Sequence, residues 1–107
     1  MKLIDIFKMA DFNRVEAMTL AYLFKREKGY LLDIEEHTKL RQPEASRGLR
    51  KLAEYGWVSI KTEKQGIGRP RIFYKFDRKK AVDNIKEMFR EKLKKYEEAY
   101  KQLENKL

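Results

Sequence analysis

Residues 41–58, RQPEASRGLRKLAEYGWV, decide how the rest of the chain is read. The string predicts one short helix over residues 43–55 with two faces of opposite character. Pro43 suits the first helical position, where its missing N–H costs nothing, and Gln42 is then the expected N-cap. Ala45, Gly48, Leu49 and Leu52 recur at helical spacing and form a narrow apolar stripe. Arg47, Arg50 and Glu54 point the opposite way, with Ser46 and Lys51 on the flanks. Gly56 ends the helix, and Trp57-Val58 begins an extended segment. A stripe of small residues lets such a helix sit close against another, and a basic, hydroxyl-bearing opposite face suits a nucleic-acid groove. The plainer reading is a surface amphipathic helix with solvated charges. The flanking sequence decides between them.

Downstream, WVSIKTE (57–63) alternates, with Val58 and Ile60 facing one way and Trp57, Ser59 and Lys61 the other. IFYKF (72–76) alternates again, grouping Ile72, Tyr74 and Phe76. Between them KQGIGRPR carries Gly66, Gly68 and several basic residues, so residues 57–77 predict a β-hairpin with a long basic tip. Upstream, LIDIFKM (3–9) predicts a short apolar helix that packs on the domain or on a partner subunit. Asn13 and Glu16 form a capping box that opens a helix running to Lys28 and closed by Gly29. Tyr30-Leu31-Leu32 is expected to be extended, and Asp33 to cap a two-turn helix, Ile34 to Lys39.

From Arg78 the pattern is helical to the last residue. Phe89, Leu93, Tyr96, Tyr100, Leu103 and Leu107 follow the 4-3-4-3 spacing of a coiled-coil seam. A lone helix exposing these side chains would be poorly soluble, so it is expected to pack on the domain or on a second copy. Tyr96 and Tyr100 could also line an effector pocket, but heptad spacing favours an interface.

Net charge is +9 over 107 residues, and its placement is uneven. Residues 57–80 hold eight basic and two acidic side chains, net +6, which is two-thirds of the excess. A merely soluble surface would spread it, so an acidic partner is implied. There is no cysteine, which excludes disulfides and thiolate chemistry. The single histidine, His37, is expected to be half-buried helix packing and not a metal ligand. No apolar run approaches the roughly 18 residues of a membrane span, and the N-terminus lacks a signal-type apolar region, so a cytoplasmic protein is expected. No Walker loop, H-E-x-x-H, nucleophile elbow or three-glycine dinucleotide motif is present, so no catalytic residue, metal or cofactor is expected.

The order of helix, short strand, two-turn helix, tight turn, two-faced basic helix and basic hairpin predicts a mainly α fold with a small β-wing. This is a winged helix-turn-helix over residues 1–77, followed by a long C-terminal dimerisation helix over 78–107. LRQPEASRGLRKLAEYGWV and GRPRIFYKF resemble archaeal winged helix-turn-helix transcriptional regulators of the broad MarR/ArsR type. The Ser46-Arg47 pair with Leu49, Leu52 and Gly56-Trp57-Val58 carries most of the likeness, which covers residues 13–77. The resemblance implies a DNA-binding repressor or activator, usually a homodimer. Gln42 and Ser46 are the expected contacts to phosphate or base edges, and Arg47 and Arg50 the side chains that enter the major groove of double-stranded DNA. Lys51, Lys64 and Arg71 would hold phosphates. Gly68-Arg69-Pro70 resembles the core of an AT-hook, which would put Arg69 in a narrow minor groove; the plainer reading is a turn with solubilising arginines. The alternative function is a protein-interaction module on the same fold, without specific DNA binding.

Overall fold

In the computed structural model, which describes residues 1–64 and 66–107, four of the five helices open on a side chain that satisfies a free backbone N–H. These contacts set the element boundaries. Helix α1 (Leu3–Met9) alone lacks one. In α2 (Arg14–Lys25) the expected capping box forms: Asn13 Oδ1 accepts from the Glu16 N–H at 2.8 Å, and Glu16 Oε1 accepts from the Asn13 N–H at 2.9 Å. In α3 (Leu31–Thr38) the N-cap is Tyr30, and Asp33 Oδ2 accepts the Tyr30 N–H at 3.1 Å. Asp33 is therefore the third helical residue and not the cap, and Leu31-Leu32 is helical and not extended. In α4 (Gln42–Glu54) the N-cap is Arg41, whose N–H donates to Glu44 Oε1 at 3.2 Å. Gln42 is thus the first helical residue rather than the cap. Asp77 caps α5 (Arg78–Asn105) through the Lys80 N–H.

A further correction is at the end of α2. The helix stops at Lys25, and Lys28–Tyr30 forms strand β1. Strands β2 (Val58–Glu63) and β3 (Arg71–Phe76) make the expected antiparallel hairpin, and β1 adds to its free side to give the order β1-β3-β2. Lys28 is therefore a strand residue. The Tyr74 hydroxyl donates to the Arg26 carbonyl at 2.9 Å and pins the end of α2 over β3. Burial pushes the Tyr74 phenol above its ordinary pKa, so it stays a donor throughout the neutral range.

Tyr55, Gly56 and Trp57 make a Schellman turn. The Gly56 N–H reaches the Ala53 carbonyl and the Trp57 N–H reaches that of Leu52, with Gly56 at φ +81°. The turn swings Trp57 inward before the strand pleat begins, so Trp57 is buried instead of sharing an outer face with Ser59 and Lys61. Its Nε1 donates to Asn84 Oδ1 of α5 at 2.8 Å. Val58, Tyr74 and Phe76 line the inner face of the sheet as expected, while Ile60 is left half-exposed. His37 is exposed, with its ring 4.9 Å from that of Tyr22.

Ala45, Gly48, Leu49 and Leu52 are buried, as their spacing predicts, against α2 and α3. The base of α5 joins the core through Ala81 and Ile85, and Lys92 Nζ reaches Asp11 Oδ1 at 2.9 Å and the Met9 carbonyl at 2.8 Å. Beyond Lys92 every residue of α5 is exposed, so its end projects from the body. Helix α3, a three-residue turn, α4 and the β2–β3 hairpin form a winged helix-turn-helix, with a small sheet and a long C-terminal helix.

A Cβ at Gly48 would lie 2.8 Å from Thr19 Oγ1 and 3.3 Å from Val15 Cγ1. Alanine gains about 1 kcal/mol of helix propensity over glycine, whereas overpacking costs about 1–3 kcal/mol. Gly48→Ala should therefore lower the urea-unfolding free energy by up to about 2 kcal/mol. Adding Thr19→Ala, which removes the clashing oxygen, should recover most of the loss. A Gly48→Ala protein more stable than wild type would show that α2 and α4 are not in tight contact.

Candidate nucleic-acid interface

Because the apolar stripe of α4 is turned into the core, its polar residues face outward in two rows. Gln42, Ser46 and Arg50 are successive i, i+4 neighbours, and Arg47 and Lys51 form the adjacent row. Gln42, Arg47, Arg50 and Lys51 are exposed, and Ser46 is partly so. Arg50 Nη2 donates to Ser46 Oγ at 3.1 Å, which holds the guanidinium along the helix. Lys51 Nζ lies 3.5 Å from Glu54 Oε2 and 5.8 Å from the Tyr55 ring centre. Among the described residues Arg47 has no ion-pair or side-chain hydrogen-bond partner. One helix face brings these five residues together; the sequence expects this of Ser46, Arg47, Arg50 and Lys51, and puts Gln42 at the cap instead.

The wing cations are placed differently. Gly66 and Gly68 both have positive φ, at +63° and +126°, and Arg69 beside them reaches α3. Gln65 of the basic tip lies outside the described residues. Arg69 makes a two-pronged contact with Glu35, with Nη2 to Oε2 at 2.5 Å and Nη1 to Oε1 at 3.5 Å. The Glu35 side chain is only 13% exposed, so Arg69 largely covers it. In the free protein the expected minor-groove arginine is thus held by a carboxylate of the helix before α4. Arg71 lies over the Tyr30 ring at 4.5 Å. Lys64 is exposed and stands apart from both. Glu35 carried no signal in the sequence beyond its place in an acidic helix, since its partner lies far along the chain.

The C-terminal seam is open. Phe89 packs partly against the core, while Leu93, Tyr96, Tyr100 and Leu103 are each about two-thirds exposed and Leu107 fully so. Among the described residues no group of three or more His, Cys, Asp or Glu is placed to hold a metal ion, and no helix is long and apolar enough to cross a membrane. A hollow of about 180 Å³ between Tyr30, Asp33, Arg69 and Arg71 is smaller than the roughly 300 Å³ at which ligand pockets begin.

No protein-family model matches the sequence, and a search of the curated proteins finds no match. Solved structures do match in fold. A protein of Methanosarcina mazei Go1 described as a possible transcriptional regulator superimposes with a TM-score of 0.71, over 95% of this chain and 88% of its own, at 16% identity. TrmBL2, an archaeal chromatin protein, matches with a TM-score of 0.62 over 97% of this chain and 38% of its own, at 14% identity. MarR of Staphylococcus aureus, solved in complex with salicylate and kanamycin, gives 0.55 over 90% of this chain and 61% of its own, at 17% identity. The shared feature is the winged-helix fold.

The Glu35 contact makes a prediction about the free protein. Glu35→Gln removes the charge that holds Arg69 and keeps a side chain of the same shape in its covered place. The Arg69 Nε–H should become markedly more mobile by ¹⁵N relaxation, while the Arg71 Nε–H should not. Unchanged Arg69 order would show that the tip is held by its backbone alone.

Proposed function

We propose that this chain is a sequence-specific, double-stranded-DNA-binding transcriptional regulator that acts as a homodimer. The carrying observation is the division of α4 into a fully buried stripe and an outward row of Gln42, Ser46, Arg47 and Arg50. That division leaves a rigidly held polar helix face of the kind a major groove admits, with base-reading reach supplied by arginine. Gln42 and Ser46 contact phosphate or base edges, and Arg47 and Arg50 enter the groove. Lys51, Lys64 and Arg71 hold phosphates, and Arg69 leaves Glu35 for the minor groove when the wing meets DNA. The exchange is feasible because the Arg69 end of the pair is about half exposed, and a phosphate backbone offers Arg69 a denser field of negative charge. Residues 1–77 are the DNA-binding unit and residues 78–107 the dimerisation helix. The protein works in the cytoplasm, without enzymatic activity or cofactor.

The dimer reading is supported by the uncovered seam of α5. Burying a leucine-sized side chain is worth about 1.5–3 kcal/mol, and four large apolar residues stand about two-thirds exposed on one stripe of a projecting helix. A second copy offers the same stripe and so an isologous match. Two winged helices held this way fit half-sites about one helical turn apart on one face of the duplex.

The test uses an operator selected from random duplexes. If a dimer neutralises about ten phosphates, the slope of log K against log salt should be near −9. Leu93→Asp with Leu103→Asp should give a folded monomer by sedimentation equilibrium that has lost the half-site spacing requirement. A wild-type monomer, or a dimeric double mutant, would refute the seam as the dimer interface. A salt slope near zero would leave the fold as a protein-interaction module.

A further inference from the structure

The register of the sheet places one set of side chains where nothing in the fold accounts for them. Lys28 of β1 stands directly opposite Lys75 of β3, and Ser59 of β2 flanks Lys75 on the other side. The next outward row is Tyr30, Phe73 and Lys61, and the row nearest the tip is Arg71 beside Glu63. Gly29, Tyr74, Ile72 and Phe76 alternate with these and belong to the inner face. Directly opposed residues have Cβ atoms about 4.5–5.5 Å apart, where like charges destabilise the sheet.

Lys28, Lys61 and Lys75 are all exposed, and among the described residues none lies within ion-pair distance of a carboxylate. Glu27, beside Lys28 in sequence, is engaged by Arg78 at 3.2 Å. Among the described residues the only carboxylate on the outer face, Glu63, is at the tip end. A solubilising surface is served equally well by either sign of charge, so a lysine facing a lysine is a local cost without a local return. An anion laid across the face reverses the sign of that term.

We infer that this outer sheet face is a second binding surface for the phosphate backbone of duplex DNA, separate from α4. It rests on the reading above only in taking DNA as the partner. Helix α4 packs with α2 and α3 on the inner side of the sheet, so a duplex held by α4, with Arg71 at the tip end of the outer face, leaves Lys28, Lys75 and Lys61 free for a second segment. The aromatic residues on the face do not favour a single strand. Tyr30 is covered by Arg71 at 4.5 Å and meets Phe73 edge-on at 5.5 Å, so neither presents an open ring for base stacking. What remains available is a set of lysine ammonium groups, which suit phosphates and carry no base specificity.

The test starts from full-length protein carrying Arg47→Ala and Arg50→Ala, which removes the groove-reading arginines. It compares that protein with one that also carries Lys28→Gln, Lys61→Gln and Lys75→Gln, using a labelled duplex of random sequence. The parent should retain steeply salt-dependent duplex binding. The lysine substitutions should weaken it at least tenfold at low salt and flatten the slope of log K against log salt by about 2–3, one phosphate per lysine. Their unfolding temperature should equal or exceed the parent's, because the cross-strand repulsion is gone, which separates lost binding from lost fold. Equal affinity and slope in the two proteins would overturn the inference. So would absence of duplex binding by the parent, or tighter binding of a single strand of equal charge. A failure of the recognition-helix reading would appear separately, as an operator affinity unaffected by Arg47→Ala and Arg50→Ala, and the lysine comparison would still decide the outer face.

Discussion

The close approach of α2 and α4 at Gly48 is the constraint on which the rest of the molecule depends. Thr19 is fully buried there, its hydroxyl satisfied by the Val15 carbonyl at 2.9 Å, and it fills the space that any side chain at residue 48 would need. With the two helices this close, Leu49 and Leu52 sink into the core and the whole polar face of α4 is presented at one fixed angle. The Schellman turn at Gly56 then delivers Trp57 to Asn84, which attaches the base of α5 to the same core. Recognition face, wing and projecting helix are thus positioned by one glycine contact and one glycine turn.

The surface cations divide into two groups. Arg69, Arg78, Lys51, Arg90 and Lys92 each meet a carboxylate in the free protein. The pairs exposed at both ends, Lys51–Glu54, Arg78–Glu27 and Arg90–Glu87, contribute little to stability, about 0–1 kcal/mol each, so their effect is chiefly on geometry. Arg78 donates to the Phe24 carbonyl as well as meeting Glu27, and Lys92 serves the end of α1, so these two fasten α5 to the body. Among the described residues Arg47, Lys28, Lys61 and Lys75 meet no carboxylate, which leaves them open to the anionic partner proposed above. Net charge alone does not distinguish the two groups; the positions of the carboxylates do.

Much of this was legible in the sequence because it is local. The Asn13–Glu16 box, the stripe from Ala45 to Leu52, the stop at Gly56, the hairpin and the start of α5 after Asp77 each depend on residues within one or two turns of each other. The misses are non-local. Lys28 is a strand residue only because β3 lies beside it, and read alone it completes the basic last turn of α2; Tyr30 is extended as expected. Asp33 looks like a cap because it precedes the apolar Ile34, yet Tyr30, fixed in extended geometry by its pairing with Phe73, starts the helix three residues earlier. Trp57 alternates with Val58 in sequence, but the Schellman turn breaks the alternation. The clustering of Ser46, Arg47, Arg50 and Lys51 on one face was readable from helical period, whereas Gln42 read as the cap. The Glu35 partner of Arg69 was not, since nothing at either position marks the other.

The central claim, that the outward face of α4 lies in a major groove, is tested most directly by methylation interference on the selected operator. Methyl groups at guanine N7 project into the major groove, and those at adenine N3 into the minor groove. The account predicts strong N7 interference in two clusters about one helical turn apart, with N3 interference confined to the flanks that the wing reaches. Interference at N3 alone, or none at either position, would contradict it.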